Sequence, residues 1–401
     1  MTGVVVIGAG QAGASLVAKL RSEGYQGAIT LVGDEPVPPY QRPPLSKKYL
    51  LGELSAERLY LRPESYYSDA GIDLRLGAPV TAIDRAAREV HLGEDQLGYE
   101  HLVLATGSMP RRLPQAVGGD LDGVHVVRTL RDVDAMSPGF VPAARLLIVG
   151  GGYIGLEAAA VAVSRGMTVT LVEMAERILQ RVAAPQTAAY FRALHERHGV
   201  DLREGVGLEY LSGERRVRNA RLTDGTEMAV DMVIAGVGIV PDTRLAETAG
   251  LAIDNGIAVD AQGRTSDQAI WAVGDCASFP HDGARLRLES VPNAIDMAEC
   301  VARNIMGTET PYVPRPWFWS DQYDVKLQIA GLNTGYDRIV TRAAGTVMSV
   351  WYYRGDRLLA VDAMNDPRAY MVGKRLIEAG KTADPGLVAD PQTDLKRLLT
   401  P

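Results

Sequence analysis

The chain is poor in sulfur. Its 401 residues include two cysteines, Cys276 and Cys300, which are too far apart for a CxxC pair. A dithiol relay of electrons through protein sulfur is therefore not expected, and a structural disulfide is not expected in a cytosolic setting. No stretch approaches the roughly 18 uninterrupted apolar residues of a membrane-spanning helix. No charged segment, long apolar run or cleavage site precedes the first apolar stretch, Val4 to Ile7, so the expected location is the cytoplasm. Lys/Arg-rich blocks are missing and the net charge is −7, which points away from nucleic acid. The six histidines are scattered. His195 and His198 lie three apart on a helix-like stretch, 187–198, but without a carboxylate or thiol set beside them. They read as an exposed helix face, and no metal is expected.

What is present is an ordinary globular composition, 46% apolar and 23% charged, with 42 glycines. The length predicts two or three domains. The most informative feature is an internal repeat. Val4-Val5-Val6-Ile7-Gly8-Ala9-Gly10-Gln11-Ala12-Gly13 and Leu146-Leu147-Ile148-Val149-Gly150-Gly151-Gly152-Tyr153-Ile154-Gly155 are each a β-branched or apolar run followed by GxGxxG. Helix-like stretches follow, 14–22 and 156–164, and then second strands, 28–32 and 168–172. This is a strand–turn–helix–strand unit written twice.

Each glycine of the motif has a job. Gly8 and Gly150 permit the tight turn, Gly10 and Gly152 let backbone approach a pyrophosphate, and Gly13 and Gly155 let helix and strand pack closely. The phosphate then faces unpaired N–H groups at the positive end of the helix. Two dinucleotide sites imply FAD and a nicotinamide dinucleotide on one chain, with hydride passing between them. After the second unit comes Glu173, placed to grip a ribose 2′-hydroxyl and to repel a 2′-phosphate. Unit charges 4 Å apart near a surface interact by about 4 kcal/mol before screening, so NADH is expected to be preferred to NADPH. After the first unit comes Gly33-Asp34-Glu35; Asp34 is the first candidate for the FAD ribose and Glu35 the second.

Other motifs make the class specific. Leu102-Val103-Leu104-Ala105-Thr106-Gly107 is a strand ending in ATG, and Ile270-Trp271-Ala272-Val273-Gly274-Asp275 is a strand ending in GD. With the two GxGxxG units these resemble the two-dinucleotide-domain flavoproteins related to glutathione reductase. Gln41-Arg42-Pro43-Pro44-Leu45-Ser46-Lys47, Gly150 to Glu157, Glu289-Ser290-Val291-Pro292-Asn293-Ala294, and Pro316-Trp317-Phe318-Trp319-Ser320-Asp321-Gln322-Tyr323 narrow the likeness. They resemble the oxygenase-coupled, NADH-dependent ferredoxin reductases of the putidaredoxin reductase family, and the likeness spans essentially the whole chain.

The resemblance implies FAD contacts at Ala12, Asp34, Lys47, Val80, Arg128, Asp275 and Val291. Lys47 and Arg128 are cations suited to a pyrophosphate or to negative charge on a reduced flavin, and Lys47 could otherwise be a solvated surface lysine. Asp275 is implied to bond the ribityl chain; a helix cap on the following segment is the other reading, and one residue can do both. Arg42 and Pro43 belong to the stiffened approach to the flavin ring, and Ala105, Thr106 and Gly107 of the ATG strand end are further cofactor-binding candidates. Tyr153, Ile154 and Gly238 are further cofactor-binding candidates, with Glu157 implied near the nicotinamide carboxamide unless it is simply an exposed helical glutamate. Trp317 and Trp319 belong either to the flavin edge or to a hydrophobic core. Lys47 and Glu157 are the candidates for the catalytic step, which needs alignment more than acid–base chemistry.

The implied reaction takes hydride from NADH onto FAD and delivers single electrons to a two-iron two-sulfur ferredoxin. Docking would be transient and electrostatic, and the ferredoxin would feed a monooxygenase, of the haem type by expectation, or a dioxygenase. Rivals on the same fold are rubredoxin and monodehydroascorbate reductases and a redox signalling flavoprotein resembling apoptosis-inducing factor. Related peroxidases use a cysteine beside the flavin in the N-terminal domain, and this chain has none before position 276. The expected fold is α/β: two Rossmann-like dinucleotide-binding domains, for FAD (1–109 with 242–313) and NAD (110–241), and a C-terminal α+β domain (314–401). The expected oligomeric state is a monomer or weak dimer.

Overall fold

The computed structural model describes residues 3–399. The chain forms two compact units, each assembled from separated segments: 1–42, 54–109 and 239–316 in the first, and 43–53, 110–238 and 317–401 in the second.

The first unit is built on a parallel sheet. Val4-Val5-Val6-Ile7 is fully buried within strand Gly3–Ile7, as expected of a strand covered on both faces. It pairs in parallel with Ile29–Val32 on one side and Asp95–Leu104 on the other. Ile72–Arg75 and Ile270–Ala272 extend the two edges, also in parallel. The order is therefore 72–75, 29–32, 3–7, 95–104, 270–272. Order reverses at the central strand, and in such sheets the ligand crevice lies beyond the carboxyl ends at that switch point. Helices Gln11–Ser22 and Val291–Ile305 pack against each other over the sheet.

The second unit repeats the plan. Strands 201–204, 168–173, 145–149, 232–235 and 124–125 form a parallel sheet in that order. Helix Tyr153–Ser164 follows the central strand. Both motif helices begin earlier than the apolar pattern implied, at Gln11 and Tyr153, because each starts directly on its middle glycine as N-cap.

In the same unit, 317–322, 325–331, 357–364, 347–354 and 338–344 form an antiparallel sheet in that order. Helix Pro367–Glu378 packs on it. This is the expected α+β segment. Trp317–Gln322 reads as an aromatic run and shows no clean period of two.

Candidate dinucleotide sites and a buried carboxylate

The two glycine motifs obey the same packing logic. Gly8 has φ +113°, and a Cβ there would lie 2.2 Å from the carbonyl oxygen of Ala105. Gly150 has φ +110°, and its Cβ would lie 2.4 Å from the carbonyl oxygen of Gly236. A Cβ on Gly13 would meet the Gly8 carbonyl oxygen at 2.0 Å, and one on Gly155 the Gly150 oxygen at 2.2 Å. The first and third glycines are thus demanded by the protein's own backbone. The middle ones are not: a Cβ on Gly10 or Gly152 would meet nothing within 4 Å. Each lies over open space as N-cap of its helix, with no side-chain cap bond to the first turn. A cradle whose glycine is not explained by protein packing, facing uncapped N–H groups, fits a dinucleotide pyrophosphate.

Around the first motif the expected residues converge. Ala105 donates its N–H to Ile7 at 2.7 Å. Thr106 Oγ1 donates to the Asp242 carbonyl at 2.6 Å, and the Asp242 N–H returns a bond to Gly107. A Cβ on Gly274 would stand 3.0 Å from Ala12 and 3.8 Å from Ala294, so the GD turn sits against the start of the motif helix and one turn from Val291. Asp275 accepts from Ser108 Oγ at 2.9 Å. It lies in a single helical turn, Gly274–Cys276, that leads into a strand, Ala277–His281. The alternative reading of Asp275 as a helix cap therefore falls.

At the end of the second strand, Asp34 is exposed. Glu35 is engaged by Arg42 Nη2 at 2.7 Å and by the Tyr40 hydroxyl at 2.7 Å. Asp34 is the carboxylate left facing outward. Val80 is buried in the hydrophobic core of this unit.

The second motif differs in one respect. Glu173 Oε2 accepts the Gly151 N–H at 2.7 Å and Oε1 accepts the Ala175 N–H at 2.8 Å. The carboxylate is fixed against the glycine loop itself. Its register partner is Glu204, which accepts from Ile178 N–H at 2.9 Å and is paired with Arg192. Ile154, one residue into the helix, is 42% exposed. Tyr153 is half-buried, with its hydroxyl oxygen out of solvent and its ring 4.8 Å from that of Phe318. Burial raises the Tyr153 phenol well above its ordinary pKa. Gly238 has φ +100° and accepts from Arg111 N–H at 2.9 Å. Arg128 is half-buried, next to the capping box of helix Leu130–Met136. Trp317 and Trp319 stack on each other at 5.4 Å, and both stay partly exposed.

In this unit Lys47 and Glu157 meet. Glu157 is 5% exposed. Its Oε1 accepts from Lys47 Nζ at 2.9 Å and from Ser320 Oγ at 2.6 Å, while Oε2 accepts from Ser46 Oγ at 2.7 Å. The reading of Glu157 as an exposed helical residue, and of Lys47 as a solvated one, is overturned by this burial. Burial pushes the Glu157 carboxyl up, and Lys47, Ser320 and Ser46 oppose that. Lys47 lies in the segment Leu45–Tyr49 with φ −133° and ψ −112°, outside helical geometry. Pro43 opens this segment.

The network runs on. Gln322 Nε2 donates to Ser320 Oγ at 3.1 Å, His195 Nε2 lies 2.8 Å from Gln322 Oε1, and the Tyr323 hydroxyl lies 3.2 Å from His195 Nδ1. His195 is completely buried, correcting the expectation of an exposed helix face; His198 alone is exposed. Burial depresses the His195 imidazole to about 4. Sequence reading missed Ser46, Ser320, Gln322 and His195 as a group. One signal was available for His195: it follows the buried Ala188 and Phe191 at helical spacing, on the same stripe.

Comparison with known proteins agrees with this architecture. Residues 2–298 match the pyridine nucleotide-disulphide oxidoreductase family, and residues 317–399 match the reductase C-terminal family. The chain belongs to the ferredoxin reductase branch of the pyridine nucleotide-disulphide oxidoreductases, flavoproteins that hold FAD and take NAD(H) as substrate. It is 42% identical to rhodocoxin reductase of Rhodococcus erythropolis over 98% of this chain and 93% of that one. It is 43% identical to putidaredoxin reductase of Pseudomonas putida over 99% and 96%. The structure matches that of a covalent putidaredoxin reductase–putidaredoxin complex with a TM-score of 0.96 and 42% identity, covering 99% of this chain and 98% of the other.

Proposed function

We propose that the chain is an NADH:ferredoxin oxidoreductase in which the first glycine motif holds FAD and the second receives NADH. The FAD-binding part corresponds to 1–109 with 242–313, the NAD-binding part to 110–241, and 314–401 forms the C-terminal part. When bound, FAD accepts two electrons together from NADH and gives them up one at a time.

The residues divide the remaining work. Gly10 and Gly152 leave room for the two pyrophosphates, and the helix starts at Gln11 and Tyr153 supply donors. Asp34 takes the FAD ribose. Asp275, held by Ser108, takes the ribityl chain. Ala12, Arg42, Pro43, Val80, Ala105 to Gly107, Arg128 and Val291 complete the FAD contacts. Glu173 takes the NADH ribose and rejects a 2′-phosphate. Ile154 offers an exposed apolar surface for the nicotinamide, and Gly238 leaves its approach open. Lys47, paired with Glu157, keeps a positive charge where negative charge develops on reduction. Trp319, part of the partly exposed Trp317–Trp319 stack, is assigned to the flavin contacts.

The observation that carries this reading is the doubled cradle, in which only the second copy has a carboxylate, Glu173, bonded to the glycine loop itself. Two dinucleotides bind, and the copy bearing Glu173 discriminates against a phosphorylated ribose. The acceptor is a two-iron two-sulfur ferredoxin, bound transiently through charge, that feeds an oxygenase. The protein acts in the cytoplasm as a monomer or weak dimer.

The test is ferredoxin-mediated cytochrome reduction driven by NADH at increasing ionic strength. The expected result is a rate that requires the ferredoxin and falls with salt. Turnover with rubredoxin but with no two-iron ferredoxin would reassign the acceptor.

A further inference from the structure

The hydrogen bonds leading away from Glu157 run in one direction. Ser320 Oγ donates to the carboxylate and so accepts from Gln322 Nε2. That fixes the Gln322 amide with its oxygen toward His195, so His195 Nε2 must be the donor at 2.8 Å. His195 Nδ1 is then the acceptor, and the Tyr323 hydroxyl donates to it at 3.2 Å. Every donor in the chain Tyr323–His195–Gln322–Ser320 points toward Glu157. Such a series polarises cooperatively and favours an anion at its end. Ser320, Gln322 and His195 are all fully buried, so water does not substitute for any link.

We propose that Ser320, Gln322 and His195 are positioning residues that keep Glu157 ionised and paired with Lys47. The proposal rests on the reading of Glu157 given above only for its functional meaning; the electrostatic claim stands on this geometry. Gln322 is the switch-point of the chain. Without the His195 donor its amide is free to turn over and present oxygen to Ser320, which would draw the Ser320 proton away from Glu157.

The charged surroundings do not offer a rival explanation. Against the Glu157 helix pack the segment 45–49, the strands 317–322, 168–173 and 145–149, and the helix 185–197. Lys47 is the charge acting on Glu157 from the first. On strand 317–322, Asp321 is exposed. Glu173 closes strand 168–173 against the Gly151 loop. Arg145 is paired with Asp231. On helix 185–197, Arg192 and Glu196 pair with each other at the surface, Arg197 is exposed, and His195 acts through Gln322.

The experiment is an infrared pH titration of the FAD-loaded protein. It follows the carbonyl stretch of protonated Glu157, assigned by its disappearance in Glu157→Gln. The variants are Gln322→Leu, His195→Phe and His195→Gln. The expected result is a protonation midpoint raised by about one pH unit or more, a tenfold change in proton affinity, in Gln322→Leu and His195→Phe. His195→Gln carries an amide nitrogen near the place of Nε2 and should restore the parent midpoint. Melting curves identify variants that fail to fold, and Ser320→Ala provides a second break in the chain. Parent-like midpoints in folded Gln322→Leu and His195→Phe overturn the proposal, as does a rise confined to Ser320→Ala. Flavin reduction by NADH in Glu157→Gln is measured separately. A parent rate there removes Glu157 from the reaction without touching the titration result.

Discussion

The two glycine motifs use the same backbone and opposite side chains at one pair of positions. In the first unit the loop carries Ala9 and the strand end carries Gly33; a Cβ on Gly33 would stand 2.6 Å from the Ala9 methyl. In the second unit the loop carries Gly151 and the strand end carries Glu173, whose Cβ would lie 3.2 Å from a Cβ on Gly151. In the first unit the two positions compete for the same space, whereas a Cβ on Gly151 is opposed first by Ile178 Cγ2, at 2.6 Å, and less closely by Glu173. The second unit places at its strand end a carboxylate locked to the loop amide, and the first moves its outward-facing carboxylate one residue on, to Asp34. On the proposed reading, the shared positions serve dinucleotide binding and the exchanged pair selects between the dinucleotides.

The largest expected effect breaks the shared part. Gly13→Ala and Gly155→Ala each force a methyl against a carbonyl oxygen at 2.0 and 2.2 Å. Gly13→Ala should be purified largely without flavin. Gly155→Ala should stay yellow but lose NADH-driven flavin reduction by about a hundredfold, if about 3 kcal/mol of binding is lost. Flavin content and anaerobic reduction rates distinguish the two. Next comes the exchanged pair: Glu173→Gln should narrow the NADH preference over NADPH by about tenfold to a hundredfold, since the 4 kcal/mol upper bound is screened. The ratio of kcat/KM for the two nucleotides reads it out.

Stability against pH sharpens the comparison by isolating the second unit. Asp362 is buried and raised to about 6. Its folded form keeps a proton that the unfolded chain releases near 4, so stability falls as pH rises from about 4 through 6. His195, held near 4, does the reverse. The unfolded chain protonates first, at about 6.5, so stability falls as pH drops from there through 4. Asp362→Asn should remove the first slope and His195→Gln the second, each worth up to about 3 kcal/mol, measured by denaturant unfolding across pH. The smallest effect is Gly33→Ala, an overpacking cost of about 1–3 kcal/mol. Ala9→Gly in the same molecule should recover most of it, and a double-mutant cycle measures that coupling.

Much of this was legible in the sequence because glycine spacing and β-branched runs are local signals. Gly8, Gly13, Gly150 and Gly155 are each required by a backbone atom a few residues or one strand away. The two parallel sheets and the antiparallel C-terminal sheet follow from the same kind of pattern. Lys47 and Glu157 could be named only through family resemblance, because 110 positions separate them and no period links them. His195 was misread for a related reason. A histidine on a mixed helix face looks solvated until the strand that covers it, Trp317–Gln322, is known, and that strand gives no alternating pattern. The engagement of Glu35 by Arg42 and Tyr40, which leaves Asp34 facing outward, likewise depends on how the loop folds back.

The most direct test of the central claim is anaerobic rapid mixing of the FAD-loaded protein with NADH and, separately, NADPH, in the presence and absence of a two-iron ferredoxin. The account predicts fast flavin bleaching by NADH, slow bleaching by NADPH, and reduction of the ferredoxin that follows the bleaching. Equal bleaching by both nucleotides would contradict the role given to Glu173. No bleaching by either would contradict the assignment of the second glycine motif as the NADH site.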